Sequence, residues 1–154
     1  MRLKSSMISP KSQLSRSVAD TEAVAGELSR SLHGGQCIAL HGELGAGKTQ
    51  FVRGLVRGLG ASPRAVSSPT FVLLNIYDIP GGAIRRVFHL DAYRAHGADD
   101  FEAIGFTELL DQPDGLVVVE WPERVTDLLP GDALHVFITP HESGSPDHRV
   151  IRII

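Results

Sequence analysis

The sequence predicts a single α/β domain in which a mostly parallel central sheet lies between two layers of helices and carries antiparallel hairpin additions. An apolar run, a glycine-rich loop and an amphipathic segment follow one another over residues 37–59, which is typical of a strand, a turn and a helix. Residues 116–119 are apolar without alternation, as in a strand that is covered on both faces. Turn formers at 80–82 separate two further strand-like runs, which favours an inserted hairpin.

The length and composition fit one globular domain and exclude two classes of protein. The chain has 154 residues, of which 42% are hydrophobic and 21% are charged. No apolar run approaches the roughly 18 residues that a membrane-spanning helix requires. The single cysteine, Cys37, cannot form an internal disulfide. We therefore expect a cytoplasmic protein rather than a membrane protein or a disulfide-stabilised secreted one.

Charge is unevenly distributed along the chain. The first 19 residues hold four basic residues and no acidic one, which leaves 11 of the 15 basic residues against all 18 acidic ones in the rest. A protein that binds a nucleic-acid backbone by itself usually presents a dense basic surface, so we expect no direct binding here. Residues 1–14 are rich in serine and lysine and lack periodicity, which predicts a disordered basic tail before a folded domain at 15–154.

The elements of the first half are predicted from capping residues and apolar spacing. Asp20 or Thr21 can cap a helix whose apolar residues recur every four positions, and glycines at 34–35 end it. Residues 37–40 then form a buried strand. The apolar side chains of residues 47–59 lie on one stripe, which predicts the next helix.

In the second half of the chain, the pattern of apolar and turn-forming residues predicts several strands and little helix. The last two strand-like runs are expected to pair as an edge hairpin. In chain order the predicted elements are a hairpin of strands 71–77 and 84–90, a short helix over 99–110 interrupted near Gly105, a strand over 116–119, helical turns over 122–129, and strands over 133–139 and 148–154.

A phosphate-binding motif follows the first predicted strand. Its members match the pattern G-x-x-x-x-G-K-[ST] and are Gly42, Glu43, Leu44, Gly45, Ala46, Gly47, Lys48 and Thr49. Glycines let the backbone curl around phosphate oxygens, and the following helix directs its positive end at them. We expect Lys48 to neutralise the β- and γ-phosphates and the Thr49 hydroxyl to bind magnesium. The motif predicts a P-loop NTPase-like domain that binds a nucleoside triphosphate and Mg²⁺.

Two acidic residues are candidates to complete this site. Glu120 directly follows the apolar run at 116–119, where the second magnesium ligand of such a site usually lies; the alternative is a solvated glutamate at a strand end. Asp91 also ends a predicted strand, and it would hold a metal-bound water or orient the attacking water. The alternative for Asp91 is a helix cap or a turn residue.

Three further features are less specific. Thr70, in a Ser-Pro-Thr sequence, could lie over the γ-phosphate as switch loops do, or simply end a proline turn. Trp121, the only tryptophan, could stack on a base or a partner, and a packing role fits equally well. The seven histidines show no zinc-ligand spacing beyond an isolated His89-x-Asp91, so we predict no structural metal.

Four strings occur in order along the chain: HGELGAGKT, SSPTF, HLDAYR and VEWPER. Together they resemble the TsaE (YjeE) family, bacterial ATPases required for the threonylcarbamoyladenosine (t6A) modification of tRNA. The resemblance implies an ATP- and magnesium-dependent partner of the TsaB–TsaD heterodimer, with tRNA contacted through those partners. It implies that ATP hydrolysis resets the complex between turnovers and that the chain does not itself transfer the threonylcarbamoyl group.

The resemblance also assigns roles to individual residues. It gives phosphate binding to Lys48, magnesium binding to Thr49 and Glu120, and catalysis or metal binding to Asp91. Thr70 falls in a switch-like loop. The family's tryptophan falls at Trp121, and Thr21 falls near the adenine. Gln50 and Ala92 depart from the family pattern without removing a phosphate or metal ligand.

Three alternatives are weighed against this function. A small-molecule P-loop kinase generally needs an arginine-rich lid, whereas only Arg94 and Arg124 lie near candidate site positions. A GTPase is disfavoured because the chain has no Asn-Lys-x-Asp string. A nucleotide-sensing module without productive hydrolysis stays open. With no arginine finger evident in the chain, we expect slow hydrolysis in isolation and completion of the site by a partner.

Overall fold

The computed structural model describes residues 10–154. Its strands are β1 (Lys11–Ser15), β2 (Cys37–His41), β3 (Leu74–Asp78), β4 (Arg86–Asp91), β5 (Gly115–Glu120), β6 (Leu134–Pro140) and β7 (Arg149–Ile153). Its α-helices are α1 (Val18–Ser29), α2 (Lys48–Gly58), α3 (Ala98–Ala103) and α4 (Phe106–Leu110), and short 3-10 turns span Pro63–Ala65, Pro122–Arg124 and Thr126–Leu128.

All seven strands belong to one mixed sheet with the order β1-β7-β6-β2-β5-β4-β3. The four central strands β6, β2, β5 and β4 are parallel, while β3 pairs antiparallel with β4 and β7 pairs antiparallel with β6. The predicted α/β domain with a parallel centre and hairpin additions is confirmed.

The C-terminal hairpin is not at the edge of the sheet, because β1 pairs antiparallel with β7 and covers it. This strand includes residues 11–14, which we predicted to be part of a disordered tail, so the folded domain includes these residues as well as 15–154. The sequence missed β1 because its residues are mostly polar and exposed, as suits a sheet edge. Residues 1–9 of the predicted tail lie outside the described residues.

The start of α1 also differs from the prediction. Ser17, rather than Asp20 or Thr21, caps this helix, and its hydroxyl accepts a hydrogen bond from the Asp20 N–H at 3.1 Å. The Asp20 carboxylate in turn accepts one from the Arg16 N–H at 2.9 Å, which resembles a capping box. The helix ends at Ser29, before the glycines expected to end it.

The other predicted elements agree with the structure to within a few residues. The helix predicted over 99–110 is two short helices, α3 and α4, separated at Gly105, whose φ of 80° is left-handed. The hairpin strand predicted from residue 71 begins at Leu74 instead. Leu73, just before it, is one of two described non-glycine residues with a positive φ, at 69°.

Two apolar clusters, one on each face of the sheet, hold the layers together. One cluster includes Val24 and Leu28 of α1 and Phe51 and Leu55 of α2. The other includes Phe101 and Phe106, the fully buried aromatic residues of α3 and α4. Nowhere in residues 10–154 is there a helix with the length and apolar character to span a bilayer.

The sheet brings the candidate site residues to one edge. Strand β2 leads into the glycine-rich loop, and the neighbouring parallel strands β4 and β5 end at Asp91 and Glu120, which are paired across the ladder. Ligands of open α/β sheets bind beyond the carboxyl ends of the strands. The topology therefore points to this edge as the functional one.

Candidate nucleotide-binding site

A cavity of about 400 Å³ lies at the carboxyl edge of the parallel strands. The predicted site residues that line it are Thr21, Leu44, Gly45, Ala46, Gly47, Lys48, Thr49, Thr70, Asp91, Glu120 and Trp121. Gly42 and Glu43 do not line it; they border a smaller depression beside Trp121. The structure thus brings together nearly all of the residues that the sequence singled out.

The glycine-rich loop is shaped to receive an anion. Gly45 and Gly47 have φ values of 79° and 104°, which side chains rarely adopt. Gly47 is the N-cap of α2 and supplies no side-chain hydrogen bond to the helix. Because the first N–H groups of a helix have no intrahelical acceptor, this N-terminus is available to phosphate oxygens.

Lys48 is held beneath the loop by two contacts. Its ammonium donates a hydrogen bond to the Gly42 carbonyl at 2.6 Å and lies 3.8 Å from the centroid of a Trp121 ring. Burial lowers the pKa of Lys48 below its ordinary value of 10.5, although the carboxylates of Glu120 and Asp91 act in the opposite direction. The site therefore holds a desolvated cation close to two acidic groups.

A direct hydrogen bond joins the side chains of Asp91 and Thr70. The Thr70 hydroxyl donates to Asp91 Oδ2 at 2.8 Å, and Asp91 Oδ1 accepts the Tyr93 N–H at 2.8 Å. The second bond is a turn contact of the kind weighed as the alternative for Asp91. Asp91 is 2% exposed, so both its oxygens are held in a nearly dry environment.

Glu120 is buried rather than solvated at its strand end. It is 3% exposed, and its Oε2 lies 2.6 Å from Nε2 of His89, which is fully buried. Sequence patterns indicated no role for His89. Its only signal was the His89-x-Asp91 spacing, since residues two apart on a strand point to the same face.

Arg149 is a second residue that sequence reasoning missed. Its guanidinium donates to the carbonyls of Ala46 at 3.2 Å and Gly45 at 3.3 Å, and it lines the cavity together with Asp147. The two residues lie about a hundred positions beyond the loop, and only the placement of β7 next to β6 brings them near. No sequence pattern indicated this contact.

The two arginines that the sequence placed near the site stack on aromatic rings. The guanidinium of Arg94 lies 4.2 Å from the Phe71 ring centroid, and that of Arg124 lies 5.3 Å from the Tyr93 ring centroid. Both contacts are cation–π interactions.

Trp121 has a left-handed φ of 55°, and its ring centroid lies 5.0 Å from that of Tyr93. Its ring faces Lys48 and also lines the cavity, so the packing role and a contact with a ligand are compatible.

Thr21, near the start of α1, also lines the cavity. Its hydroxyl is 2.7 Å from the hydroxyl of Ser15, and the side chain is buried. The N-cap Ser17 lines the cavity beside it. The start of α1 therefore contributes to the wall of the same cavity as Asp91 and Glu120.

The donor set limits how a metal would bind. Within residues 10–154, no three His, Cys, Asp or Glu side chains are grouped so as to hold a metal ion. A Mg²⁺ ion characteristically takes one or two carboxylates and completes its shell with hydroxyl, phosphate and water oxygens. Glu120 and the Thr49 hydroxyl, which line one cavity, fit that requirement.

A glycine loop at a helix N-terminus, followed by buried acids at the ends of two parallel strands, defines the class of P-loop NTPase-like proteins. Comparison with known families is more specific. The family model described as threonylcarbamoyl adenosine biosynthesis protein TsaE matches residues 15–150. The chain belongs to the TsaE family.

Individual relatives agree with this assignment. The chain is 42% identical over 106 residues to the tRNA threonylcarbamoyladenosine biosynthesis protein TsaE of Aquifex aeolicus, which covers 68% of this chain and 71% of that one. It is 41% identical over 117 residues to the TsaE of Treponema pallidum, covering 76% and 82%. The crystal structure of Bacillus subtilis YdiB is similar in fold, with a TM-score of 0.72 and 28% identity over 96% of this chain and 86% of that one.

Proposed function

We propose that this protein is the ATP-binding and ATP-hydrolysing subunit of the tRNA t6A modification machinery and acts with TsaB and TsaD. One observation carries the proposal. In a chain of the TsaE family, the phosphate loop, Thr49, Glu120 and the bonded pair Thr70–Asp91 converge on one cavity.

The phosphates of ATP would lie on the loop from Gly42 to Thr49. The N–H groups at the start of α2 bind phosphate oxygens, and the left-handed glycines Gly45 and Gly47 keep the loop open toward them. Lys48 supplies a positive charge at the β- and γ-phosphates. Its pKa, lowered by burial, rises when anionic phosphates approach, so it binds them as the ammonium.

Thr49 and Glu120 would hold Mg²⁺. When bound, the ion neutralises charge on the β- and γ-phosphate oxygens. Glu120 keeps its carboxylate fixed by its bond to His89, so it presents an ordered oxygen to the metal.

Asp91 and Thr70 would position the attacking water. Asp91 accepts the Thr70 hydroxyl on one oxygen and a backbone N–H on the other, which fixes the plane of its carboxylate. A water bound to this carboxylate is directed at the γ-phosphorus, and catalysis then consists mainly of positioning and charge stabilisation.

The isolated chain should hydrolyse ATP slowly. The guanidinium of Arg149 donates to loop carbonyls, and Arg94 and Arg124 are stacked on aromatic rings. TsaB–TsaD would supply the missing transition-state charge or order the Thr70 loop. The acidic body of the chain agrees with tRNA contact through those partners.

The proposal is tested by measuring phosphate release and t6A formation together, with the purified chain alone and with TsaB, TsaD and tRNA. We expect partners to accelerate hydrolysis and t6A formation to require this chain. Lys48→Ala should abolish both, whereas Lys11→Ala, at an exposed position of β1, should leave both unchanged. Full t6A formation with the Lys48 variant, or phosphorylation of a small molecule independent of partners, would overturn the proposal.

A further inference from the structure

We propose that Tyr77 and His89 are positioning residues that hold the magnesium ligand Glu120 and tie it to the loop that carries Thr70. This inference rests on the proposed function, since it concerns the metal step of the same site. It adds two residues that neither the phosphate-loop motif nor the acidic candidates include.

The three side chains form one continuous hydrogen-bonded chain. Glu120 Oε2 lies 2.6 Å from His89 Nε2, and His89 Nδ1 lies 2.9 Å from the Tyr77 hydroxyl. The Tyr77 hydroxyl is within 3.0 Å of the Ser67 carbonyl, to which it can donate, and it accepts the Ser67 N–H at 3.3 Å. This series of hydrogen bonds thus runs from the carboxylate of Glu120, the proposed magnesium ligand, to the backbone of the Ser-Ser-Pro-Thr loop.

Burial favours a single geometry of the three hydrogen-bonded side chains. His89 is fully buried, and Glu120 and Tyr77 are 3% and 5% exposed. Water therefore does not compete for the atoms that form these hydrogen bonds, and each of those atoms depends on its protein partner. Both ring nitrogens of His89 are engaged, so the imidazole plane is fixed from both sides.

The second carboxylate oxygen of Glu120 is left for a metal ion. Glu120 Oε1 has no hydrogen-bond partner among the described residues, and no fully buried side-chain oxygen there is left unpaired. Oε1 is consequently accessible, and Glu120 lines the cavity. His89 holds one oxygen and leaves the other for the cation, which is the arrangement of an outer ligand that orients a metal-binding carboxylate.

Strand β4 links the two halves of the site. His89 and Asp91 lie two residues apart on β4 and therefore on one face. Asp91 holds the loop at Thr70, and His89 holds it at Ser67 through Tyr77. A loop that moves away from the γ-phosphate would disturb the Tyr77 hydroxyl, then His89, then Glu120. The order of the loop and the affinity for the metal should therefore be coupled.

The test uses the full chain with Tyr77→Phe, which removes only the hydroxyl, and His89→Gln. Binding of a fluorescent ATP analogue is titrated with Mg²⁺ and also measured in EDTA. We expect both variants to raise the half-saturating Mg²⁺ concentration by about 10-fold, in line with the effect of losing such outer contacts. Affinity for the analogue in EDTA should change less than about two-fold, because the phosphate loop is intact.

His135→Gln is the matched control, since His135 bonds to His41 rather than to a site residue. It should leave the Mg²⁺ requirement unchanged. Adding Tyr77→Phe to Glu120→Gln should raise the requirement no further, because the carboxylate that Tyr77 helps to hold is already gone. Thermal unfolding of each variant checks that it is folded, and the near-isosteric Tyr77→Phe carries the test if His89→Gln does not fold.

The outcomes separate this inference from the proposed function. If wild-type binding shows no dependence on Mg²⁺, the proposed function fails. If the wild type depends on Mg²⁺ and Tyr77→Phe has the same requirement, only the inference is overturned. A loss of affinity in EDTA equal to the loss in Mg²⁺ would also overturn it, since that pattern reports a general structural defect.

Discussion

The Thr70 hydroxyl lies 2.8 Å from Asp91 Oδ2, so a loop residue is bonded to the last residue of β4 across 21 positions of sequence. Asp91 is nearly fully buried, and this bond and the Tyr93 N–H occupy both its oxygens. The pair therefore fixes the loop relative to the sheet.

Replacing Asp91 with Asn should lower turnover far more than nucleotide affinity. The variant keeps the size of the side chain but loses the charge that orients water and accepts the Thr70 hydroxyl. We expect kcat in the TsaB–TsaD complex to fall by about 100-fold, while the Kd for ATP changes little. Asp111→Asn, at an exposed position after α4, serves as the control. Unchanged turnover of the Asp91 variant in the complex would remove Asp91 from the mechanism.

Replacing Arg149 with Ala should weaken nucleotide binding. The side chain donates hydrogen bonds to the carbonyls of Gly45 and Ala46. Loss of these hydrogen bonds frees the loop to adopt other conformations. For this half-exposed group we expect a loss of about 1 kcal/mol, or roughly five-fold in Kd, by calorimetric titration with ATP. Arg152→Ala, on the same strand but stacked on Phe137, should have no such effect. Equal losses from both variants would show that only the stability of β7 matters.

The pH dependence of stability should report the environment of Lys48. Burial lowers the pKa of its ammonium in the folded chain, whereas the unfolded chain keeps a value near 10.5. Between these two values the unfolded state binds more protons, so the free energy of unfolding gains a contribution that rises with pH. Below the lowered pKa the cost of burying the charge is present in full.

Lys48→Met lacks this contribution. Its free energy of unfolding, measured by denaturant titration, should exceed that of the wild type by the largest margin at pH values below the lowered pKa of Lys48. The margin should shrink as the pH rises toward 10.5. Lys11→Met, at an exposed position, controls for the loss of a lysine as such. A margin independent of pH would mean that the ammonium is not destabilised by burial.

Cys37 should be unreactive in the folded chain. It is 3% exposed, and burial, with the carboxylate of Asp132 nearby, raises the pKa of its thiol to about 12. At pH 8, alkylation therefore requires unfolding of β2. Mg²⁺ and ATP at about 100 times the Kd should slow it by about 100-fold, because only the folded state binds them. The same addition should not protect Lys48→Ala. Rapid alkylation of the folded wild type would contradict the buried position of Cys37.

The sequence predicted what local patterns encode. Strand β2, the glycine loop and α2 are contiguous, and their apolar spacing and glycines specify them without reference to the rest of the chain. The strand-end rule also predicted Asp91 and Glu120, because parallel strands expose their carboxyl ends at one edge.

The features that the sequence did not predict depend on contacts between residues far apart in the chain. Strand β1 has little apolar pattern and forms because β7 offers an unpaired edge. Arg149 reaches the loop only through the order of the strands, and His89 gains its role from Tyr77 and Glu120, which come from two other strands. The apolar spacing did not single out Ser17 as the cap; Asp20 instead donates its N–H to Ser17 and accepts the Arg16 N–H on its carboxylate.

Leu73, with its left-handed φ, joins the Thr70 loop to β3. Its N–H donates to the Pro69 carbonyl at 2.8 Å, and its carbonyl accepts the Asp91 N–H at 3.0 Å. A left-handed non-glycine residue costs about 1–2 kcal/mol. The loop therefore carries local backbone strain at Leu73. If Thr70 and Ser67 lost their hydrogen bonds to Asp91 and Tyr77, relief of this strain at Leu73 would favour a different, more open conformation of the loop.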